Sequence, residues 1–485
     1  MILNKLIQEL PNTLEVIGNA NIEINDMTFD SRKAIEGVLF VAQKGEKTDG
    51  HAYINKAIEL GCKAIVCQVK PENIVDGVTY VVTEDTHLAL GLMASAFFGY
   101  PSRQMKLVGV TGTNGKTTIA TLLYRLFTAM GKNCGLFSTV ANYIKGERMP
   151  ATHTTPDAIE LNRQMRKMVD AGCTHCFMEV SSHSVVQHRI AGLDFDGGIF
   201  TNITHDHLDY HKTFSNYIQA KKGFFDSLKK EAFALTNIDD KNGNIMLQNT
   251  AAKKYTYSLR TMADYKCSIV EQGFEGTELK MGNIEAFMLF VGTFNAYNLT
   301  AIYGAACSMG EDPHDVLRVL STLHPVDGRF ETIRSKDGKT AIVDYAHTPD
   351  ALTNVISTIN AIRKDNQRLI CVCGCGGDRD KTKRPEMAKE AVKGAQQVIL
   401  TSDNPRTEDP IAILEDMKAG LNEAELEQVL TIVDRREAIR TAMKIANAGD
   451  IILIAGKGHE DYQDIQGVKH HFDDREEVRK IFGLE

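Results

Sequence analysis

The chain has 485 residues, a length that suggests about three domains at ~150 residues each. Its 43% hydrophobic and 24% charged residues are those of a globular protein, and a net charge of −8 argues against nucleic-acid binding. Ten cysteines without paired spacing do not form a disulfide framework, and the single C-x-x-C, Cys173 and Cys176, is a weak redox or zinc signal. The N-terminal segment is unlike a signal peptide, and no run reaches the ~20 apolar residues of a membrane span. We therefore expect a cytoplasmic protein.

The first part of the chain mixes short β-rich runs with helical patterns, which predicts a small α/β domain over 1–101. Its best candidate site is a turn before a strand, formed by Asp30, Ser31 and Arg32. Arg32 could pair with a phosphate, and backbone groups near Ser31 could hold a nucleotide base. The alternative is a surface turn with a local ion pair between Asp30 and Arg32.

A phosphate-binding loop follows the short apolar strand 106–110. From Lys116 onward, apolar residues recur at helical spacing, and the glycine-rich turn 111–115 lies between strand and helix. Backbone N–H groups of such a turn and the helix N-terminus hold phosphate oxygens. Lys116 adds a positive charge, and the Thr117 hydroxyl can bind Mg²⁺. The residues assigned to ATP in this loop are Gly112, Thr113, Asn114, Gly115, Lys116, Thr117 and Thr118.

The loop departs from the strict phosphate-binding pattern at one position. That pattern requires glycine five residues before Gly115, where this chain has Val110. Lys-Thr-Thr nevertheless follows Gly115 at the required register. The alternative is an ordinary glycine-rich turn between a strand and a helix.

Further polar clusters lie in the central domain, which we expect to span 102–328. Glu179 falls at the end of an apolar run, where α/β sheets present ligands, so it could bind Mg²⁺. The polar turn that begins at His153 caps a helix or contacts a substrate. Gly292 to Leu299 opens a helix whose amides could meet an adenine edge.

A cluster of histidines and aspartates suggests zinc at first sight: His205, Asp206, His207, Asp209 and His211. The spacing lacks a helical i, i+4 pair opposite a third ligand. The cluster also follows another β-rich run, as Glu179 does. Two interpretations of the cluster therefore remain. Its residues either bind zinc or belong to the same site as the phosphate loop.

The third domain, expected over 329–485, alternates strands and helices in a Rossmann-like, doubly wound pattern. The segment 325–330, PVDGRF, is predicted to be the hinge before it. In such a sheet, loops at the carboxyl ends of the strands form one ligand crevice. Four polar loops follow strands and are expected on one rim: 344–349, 377–380, 403–406 and 456–460.

Seven motifs together resemble the Mur ligases: VGVTGTNGKTT, MEVSSH, HDHLDYH, VDYAHTPD, GCGGDRD, DNPRTEDP and AGKGHE. The phosphate loop TGTNGKTT is also similar to that of folylpolyglutamate synthetases. Near the N-terminus, DSR followed by GxLFxA resembles the uridine-nucleotide domain of the family. The resemblance implies a small α/β N-terminal domain, a central P-loop ATPase-like domain with a mostly parallel sheet, and a C-terminal Rossmann-like domain.

The resemblance also implies a reaction. An ATP-dependent ligase would activate the carboxylate of UDP-N-acetylmuramoyl-L-alanyl-D-glutamate as an acyl phosphate. The amine of meso-2,6-diaminopimelate would then attack, giving an amide in cytoplasmic peptidoglycan precursor synthesis. ATP and Mg²⁺ are the implied cofactors. We expect a monomer, with neither nucleic acid nor membrane as a partner.

The resemblance assigns the catalytic and metal residues as well. Lys221 corresponds to a lysine that is carbamylated in the family, which gives it two oxygens for Mg²⁺. Carbamylation needs the neutral amine, so burial or nearby charge must favour that form. Lys222 is the rival residue, but the register favours Lys221. The implied catalytic residues are Lys116, Glu179, His207 and Lys221, the implied metal ligands are Thr117, Glu179, His207 and carbamylated Lys221, and further ATP contacts are Asn298, Arg329 and Asp344.

Two further sets are implied for the other substrates. The UDP-muramoyl-dipeptide set is Phe29, Ser31, Glu46, Lys47, Thr48, His153, Thr154, Thr155, Ser181, Gln187 and Arg189. His153 departs from the family, in which Asn is frequent at that position. The diaminopimelate set is Arg379, Asp403, Asn404, Pro405, Arg406, Gly456 and Glu460. Arg406 offers a planar fork for a carboxylate, unless it only caps a helix or pairs with Glu408.

Other functions remain as alternatives. A lysine-adding muramoyl ligase would not need the DNPR loop and the acidic Glu460. A folylpolyglutamate synthetase would not need the DSR-containing first domain. A non-catalytic ATP-binding switch would need neither a metal cluster nor four polar loops on a facing domain.

Overall fold

The computed structural model describes residues 1–45, 48–151, 153–204 and 208–484. Three α/β units follow one another along the chain, each around its own sheet, of five, eleven and six strands. This arrangement confirms the expected three-part α/β fold. Helices cover the sheets, and the buried side chains are mostly apolar.

The N-terminal unit contains the strands β1 (Thr13–Ile17), β2 (Asp26–Thr28), β3 (Val38–Val41), β4 (Ala64–Cys67) and β5 (Thr79–Thr83), and the helices α1 (Leu3–Ile7), α2 (Ile54–Glu59) and α3 (Thr86–Phe97). The strand order is β1-β5-β4-β3-β2, parallel except for β1. β4 and β5 are buried along their whole length, as strands covered on both faces must be. Asp85 caps α3 by accepting from the N–H groups of His87 and Leu88.

In its described ranges, the central unit has eleven strands and eight α-helices. The strands are β6 (Lys106–Thr111), β7 (Cys134–Phe137), β8 (Asn142–Ile144), β9 (Glu147–Met149), β10 (His175–Glu179), β11 (Gly197–Phe200), β12 (Phe233–Asn237), β13 (Lys253–Ser258), β14 (Tyr265–Gly273), β15 (Gly276–Met281) and β16 (Ile284–Met288). The helices are α4 (Lys116–Ala129), α5 (Ala158–Asp170), α6 (Ser182–Val186), α7 (Leu208–His211), α8 (Phe214–Asp226), α9 (Gly243–Met246), α10 (Thr293–Ser308) and α11 (Pro313–Leu320).

The strand β6 lies in the middle of this sheet and organises the site. It pairs in parallel with β10 on one side and β11 on the other. The segments after these three strands, including the phosphate loop and Glu179, therefore share one edge of the sheet. β6 ends at Thr111, one residue later than predicted, because Thr111 still pairs with Phe200.

The C-terminal unit contains the strands β17 (Glu331–Arg334), β18 (Thr340–Asp344), β19 (Leu369–Cys373), β20 (Gln397–Leu400), β21 (Val429–Thr431), β22 (Ile451–Ala455), β23 (Tyr462–Ile465) and β24 (Val468–His471), and the helices α12 (Pro349–Ile362), α13 (Lys383–Gly394), α14 (Pro410–Lys418), α15 (Glu423–Leu426), α16 (Arg435–Ile445) and α17 (Asp474–Phe482). Its sheet has the order β17-β18-β22-β19-β20-β21, parallel except for β17. The four polar loops that were predicted for one rim directly follow four neighbouring parallel strands, β18, β22, β19 and β20.

Candidate active site

The phosphate loop bends at two glycines between β6 and α4. Gly112 has a φ of 150° and Gly115 a φ of 91°, in the region that favours glycine. A Cβ on Gly112 would lie 1.8 Å from Thr201 Oγ1, and one on Gly115 would lie 2.6 Å from Asn298 Oδ1. The loop therefore has room for backbone only, as close approach to a phosphate requires.

The residues that follow β11 hold this loop in shape. Asn202 accepts two hydrogen bonds from the loop: the Thr113 N–H donates to its carbonyl oxygen at 2.8 Å, and the Asn114 N–H to its Oδ1 at 3.0 Å. The Thr201 hydroxyl donates to the Asn114 carbonyl at 2.6 Å. The curvature of the loop is therefore fixed by a neighbouring strand end, before any ligand binds.

Two lysines meet at one carbonyl oxygen in the loop. The Lys116 Nζ donates to Gly112 O at 2.9 Å, and the Lys221 Nζ donates to the same oxygen at 2.8 Å. Lys221 is 1% exposed on α8 and faces the Tyr217 ring. Lys222 points elsewhere and pairs with Asp226 at 2.7 Å. Of the two rival lysines, Lys221 is the one beside the phosphate loop.

Glu179 ends β10 as a fully buried carboxylate that faces the site. Its Oε1 accepts from the Thr139 N–H at 2.6 Å, and its Oε2 from the Thr139 hydroxyl at 3.2 Å. Thr117 is also buried, at the start of α4. Carboxylate and hydroxyl oxygens are the ligands that Mg²⁺ prefers, so this donor set suits the ion.

The histidine cluster is only partly described. His205, Asp206 and His207 lie outside the described residues. The metal-binding role predicted for His207 therefore stays a prediction. The His211 Nε2 forms a 2.9 Å hydrogen bond with the Ser182 hydroxyl. Within the described ranges, no group of three or more His, Cys, Asp and Glu side chains is arranged to hold a metal.

Several residues assigned to the muramoyl-dipeptide are linked to one another near Glu179. The Ser181 N–H donates to Thr155 Oγ1 at 3.2 Å, and Arg189 Nη1 donates to the Thr155 carbonyl at 2.9 Å. Arg189 also donates from Nη2 to Gln187 Oε1 at 2.6 Å. Burial lowers the pKa of the Arg189 guanidinium from its ordinary value. Thr154 accepts a hydrogen bond from Thr139 at 3.1 Å.

The C-terminal unit reaches the phosphate loop through two contacts. Arg329 Nη2 lies 3.4 Å from Thr117 Oγ1, with its guanidinium 4.5 Å from the Tyr345 ring centroid. Its Nε is buried with no hydrogen-bond partner among the described residues. Asp350 accepts from Asn114 Nδ2 at 2.9 Å. A half-buried guanidinium whose Nε–H is spare fits a phosphate chain at this loop.

Asp344 lies behind this contact. It accepts from the Phe330 N–H at 2.7 Å and from the Ala346 N–H at 2.8 Å. Burial raises the pKa of the Asp344 carboxyl above its ordinary value. It therefore fixes the hinge that carries Arg329, and it also lines the cavity.

The loop 403–406 and the loop 456–460 form the opposite wall. Asn404 Nδ2 donates to Glu460 Oε2 at 2.8 Å, which ties the two loops together. Arg406 has a φ of 50° and donates from Nη1 to the Gly377 carbonyl at 2.6 Å. Glu408 pairs with Arg384 at 2.9 Å and also with Lys381. The Arg406–Glu408 pair considered as an alternative is therefore not among the described contacts.

The N-terminal set lies apart from these residues. Phe29 is 42% exposed, and Arg32 pairs with Asp30 at 2.9 Å, as in the surface-turn alternative. Glu46 and Lys47 lie outside the described residues. Phe29, Ser31 and Thr48 do not line the cavity described next.

One cavity of about 1000 Å³ joins the central and C-terminal units. Three further residues that were predicted for the site do not line this cavity: Gly112, Gln187 and Pro405. The predicted residues that line it are Thr113, Asn114, Gly115, Lys116, Thr117, Thr118, His153, Thr154, Thr155, Glu179, Ser181, Arg189, Lys221, Asn298, Arg329, Asp344, Arg379, Asp403, Asn404, Arg406, Gly456 and Glu460. A phosphate loop and an acid–arginine wall thus face each other across one cavity.

Sequence reasoning missed several residues of this site. Asn202 and Asp350 contact the phosphate loop. Asp350 ends the motif VDYAHTPD, whereas Asn202 lies three residues before the histidine cluster and outside the motifs. Thr139 belongs to no motif and is found only because β7 ends beside β10. Lys457 falls inside AGKGHE, and a lysine there is indistinguishable from a solvated one without the fold.

A phosphate loop on one unit and a polar wall on a second, across one cavity, define a nucleotide-dependent enzyme that joins two substrates. Family models agree: the Mur ligase middle domain matches residues 110–306, the Mur ligase glutamate ligase domain residues 328–458, and the Mur ligase family catalytic domain residues 23–98. The chain belongs to the Mur ligase family, and it is an ATP-dependent ligase that forms ADP.

Named relatives are similar over nearly the whole chain. The chain is 59% identical to the UDP-N-acetylmuramoyl-L-alanyl-D-glutamate--2,6-diaminopimelate ligase of Parabacteroides distasonis, with 97% of each covered. It is 56% identical to the protein of the same name from Phocaeicola vulgatus, with 100% of each covered. A solved structure of a ligase with this name superposes with a TM-score of 0.69 at 34% identity, over 99% of this chain and 98% of that one.

None of the described helices is at once long and apolar enough to cross a bilayer. All ten cysteines are free, including the buried pair Cys173 and Cys176.

Proposed function

We propose that the chain joins meso-2,6-diaminopimelate to UDP-N-acetylmuramoyl-L-alanyl-D-glutamate at the expense of ATP, as a cytoplasmic step of peptidoglycan precursor synthesis. The observation that carries the proposal is the single cavity lined by Lys116 and Glu179 on one wall and by Arg406 and Glu460 on the other. Relatives that bear this activity in their names align over 97–100% of the chain. We further propose domains at 1–101, 102–328 and 329–485, and a monomer.

The first chemical step is phosphoryl transfer. A carboxylate oxygen of the UDP-linked dipeptide attacks the γ-phosphorus of ATP, and ADP leaves, giving an acyl phosphate. This step needs charge neutralisation and alignment rather than covalent help. Lys116 leaves the Gly112 and Thr113 carbonyls to meet phosphate oxygens, while the loop N–H groups and Arg329 complete the cradle. Asn298 and Asp344 are proposed to contact the nucleotide.

The second step forms the amide. The amine nitrogen of the incoming amino acid attacks the acyl carbon, and the tetrahedral intermediate expels phosphate while the nitrogen loses a proton. The two walls of the cavity hold the amine and the acyl group close together and in the right orientation. This positioning is the main way in which such a site accelerates amide formation.

Thr117, Glu179, His207 and a carbamylated Lys221 are proposed to hold Mg²⁺. The ion, when bound, neutralises charge on the phosphate oxygens. Lys221 and Lys116 donate to one acceptor, the Gly112 carbonyl, so the amine to be carbamylated lies beside the phosphate loop.

The two organic substrates are proposed to occupy different parts of the protein. The uridine nucleotide meets Phe29, Ser31 and the segment 46–48. The muramoyl-dipeptide extends into the cavity toward His153, Thr154, Thr155, Ser181, Gln187 and Arg189. The far end of diaminopimelate, a carboxylate and an ammonium on one carbon, meets Arg379, Asp403, Asn404, Pro405, Arg406, Gly456 and Glu460.

A substrate panel assayed for ADP tests the proposal. The purified protein is given ATP and Mg²⁺ with the UDP-linked dipeptide, together with meso-diaminopimelate, L-lysine, or no amino acid. We expect ADP only when dipeptide and diaminopimelate are both present. The preference over lysine is expected on the order of 10²-fold, because an arginine left without its carboxylate is penalised.

The variant Arg406→Ala is the control for this preference, since it should use the two amino acids with similar kcat/KM. ADP formation without an amino acid would indicate a switch. Equal use of lysine by the unaltered protein would indicate the lysine-adding alternative.

A further inference from the structure

Lys457 is a fully buried lysine beside the cavity, and it belongs to none of the substrate-binding sets proposed above. It follows β22 and is 0% exposed. Its ammonium lies 3.2 Å from Glu460 Oε2 and 3.2 Å from Asn404 Oδ1. The Tyr462 ring centroid is 5.4 Å away. Burial of a lysine is costly unless its charge is paired, so this position is unlike that of a solvated loop lysine.

The lysine fixes the orientation of the Asn404 amide. Asn404 Oδ1 accepts from Lys457 and also from the Asp464 N–H at 2.9 Å. With its oxygen occupied by two donors, the amide turns its NH₂ group toward Glu460 Oε2, at 2.8 Å. Lys457 and Asn404 thus both donate to one oxygen of the same carboxylate.

The Glu460 carboxylate lies at the cavity wall. Glu460 and Asn404 line the cavity, whereas Lys457 does not. Glu460 Oε1 has a long contact of 3.4 Å with the Tyr345 hydroxyl, which leaves this oxygen capacity to accept from a ligand. The contacts of this carboxylate within the described part of the chain are with Lys457, Asn404 and Tyr345.

We propose that Lys457 is a positioning residue for the amino-acid substrate: with Asn404, it holds Glu460 in the geometry that receives the substrate's distal ammonium. This inference rests on the proposed function, because it concerns the same subsite. Lys457 and Asn404 both bind Glu460 Oε2, which fixes the orientation of the carboxylate and leaves Oε1 with capacity to accept from the ligand.

The variant Lys457→Gln tests the proposal, because glutamine keeps hydrogen-bonding groups and loses the charge. We expect KM for diaminopimelate to rise tenfold or more, with KM for ATP and for the UDP-linked dipeptide within twofold of the unaltered protein. In a Glu460→Gln background, Lys457→Gln should add little.

Lys339→Gln is the matched control. Lys339 pairs with Asp337 at 2.8 Å in the same unit and does not line the cavity, so its loss should leave all three KM values unchanged. A Lys457→Gln protein with unchanged KM for diaminopimelate overturns the proposal. A rise in all three KM values together with a lower melting temperature would also overturn it, as that pattern marks a purely structural residue.

Failure of the proposed function has a different signature. If the unaltered protein does not use diaminopimelate, the function is wrong. The same comparison is then made with the amino acid that the panel identifies. A Lys457→Gln effect confined to the KM of that amino acid supports the positioning role, and no such effect refutes it.

Discussion

The Gly112 carbonyl shows how much one backbone atom can organise. It accepts from Lys116 and from Lys221, which come from the helix after the loop and from a helix about a hundred residues later. Lys116 also donates to the Thr113 carbonyl at 2.8 Å. Two helices that are far apart in the sequence thus place their amines at the same loop, and both lysines line the cavity.

The carboxylate of Asp239, which lines the cavity, fixes the turn at 259–261. Its carboxylate accepts from the N–H groups of Leu259, Arg260 and Thr261 and from the Tyr297 hydroxyl, at 2.8–3.0 Å. Burial alone would raise the pKa of Asp239, but these hydrogen bonds outweigh it and hold the pKa well below 3.8. The carboxylate therefore stabilises the fold above its ordinary pKa, and this stabilisation is lost as pH falls through the lowered value.

Replacing Asp239 with Asn should loosen this turn. We expect the amides of 259–261 to exchange with solvent about tenfold faster or more at pH 7, because hydrogen bonds to a charged acceptor are worth about 1.5–3 kcal/mol. The ratio of variant to unaltered exchange rates should shrink toward one well below pH 3.8, where the unaltered carboxylate takes up its proton. Hydrogen exchange followed by mass spectrometry measures both. A ratio that does not change with pH would contradict the role of the charge.

At the scale of elements, strand β6, the phosphate loop and helix α4 form a unit whose shape depends on outside contacts. The side chains of Thr201 and Asn298 approach the loop so closely that its two bends must be glycine. Helix α10, which carries Asn298, thus restricts the residue type allowed at the start of helix α4. The packing of helix α10 against the loop therefore determines both the local fold and the shape of the phosphate site.

Gly115→Ala tests this restriction, with Gly131→Ala as its matched control. Both glycines have similar positive φ, 91° and 84°, but a Cβ on Gly131 meets nothing within 4 Å. Gly131→Ala should therefore cost only the ~1–2 kcal/mol of left-handed backbone. Gly115→Ala should cost more and should weaken ATP binding at least tenfold, since Asn298 must move.

Urea denaturation and ATP titration calorimetry measure the two effects. Equal stability losses in the two variants, with ATP binding intact in both, would show that the Asn298 contact does not constrain the loop.

At the scale of the whole molecule, the reacting groups are divided between two units. Thr117 and Asn114 in the central unit contact Arg329 and Asp350, and Val291 and Phe294 of the central unit pack against the C-terminal core. Reactions that need water excluded from such a space usually involve closure on substrate.

We therefore expect ATP and the UDP-linked dipeptide together to reduce the radius of gyration measured by small-angle X-ray scattering. Lys116→Ala should respond less at the same ATP concentration, because the loop loses its main phosphate contact. Lys106→Ala, an exposed lysine at the start of β6, is the control and should respond like the unaltered protein. Identical scattering with and without substrates would contradict closure.

The sequence predicted the order of strands and helices well wherever apolar runs were continuous, as in β19, β20 and β22. It also predicted the phosphate loop, since glycine, lysine and hydroxyl must be adjacent in the chain for that chemistry. It could not predict that Thr139 holds Glu179 or that Lys457 is buried beside Glu460. Such contacts depend on which strands become neighbours, and local residue patterns carry no information about that.

The cavity draws its two walls from segments that lie far apart in the chain, from Thr113 to Glu460. On a ribosome adding roughly 5–20 residues per second, tens of seconds separate the emergence of the first wall from that of the last. During that interval the growing chain carries a phosphate loop without the groups that receive the amino acid. A truncated product of translation would thus retain at most nucleotide binding, and the ability to join two substrates would arrive only with the final loops.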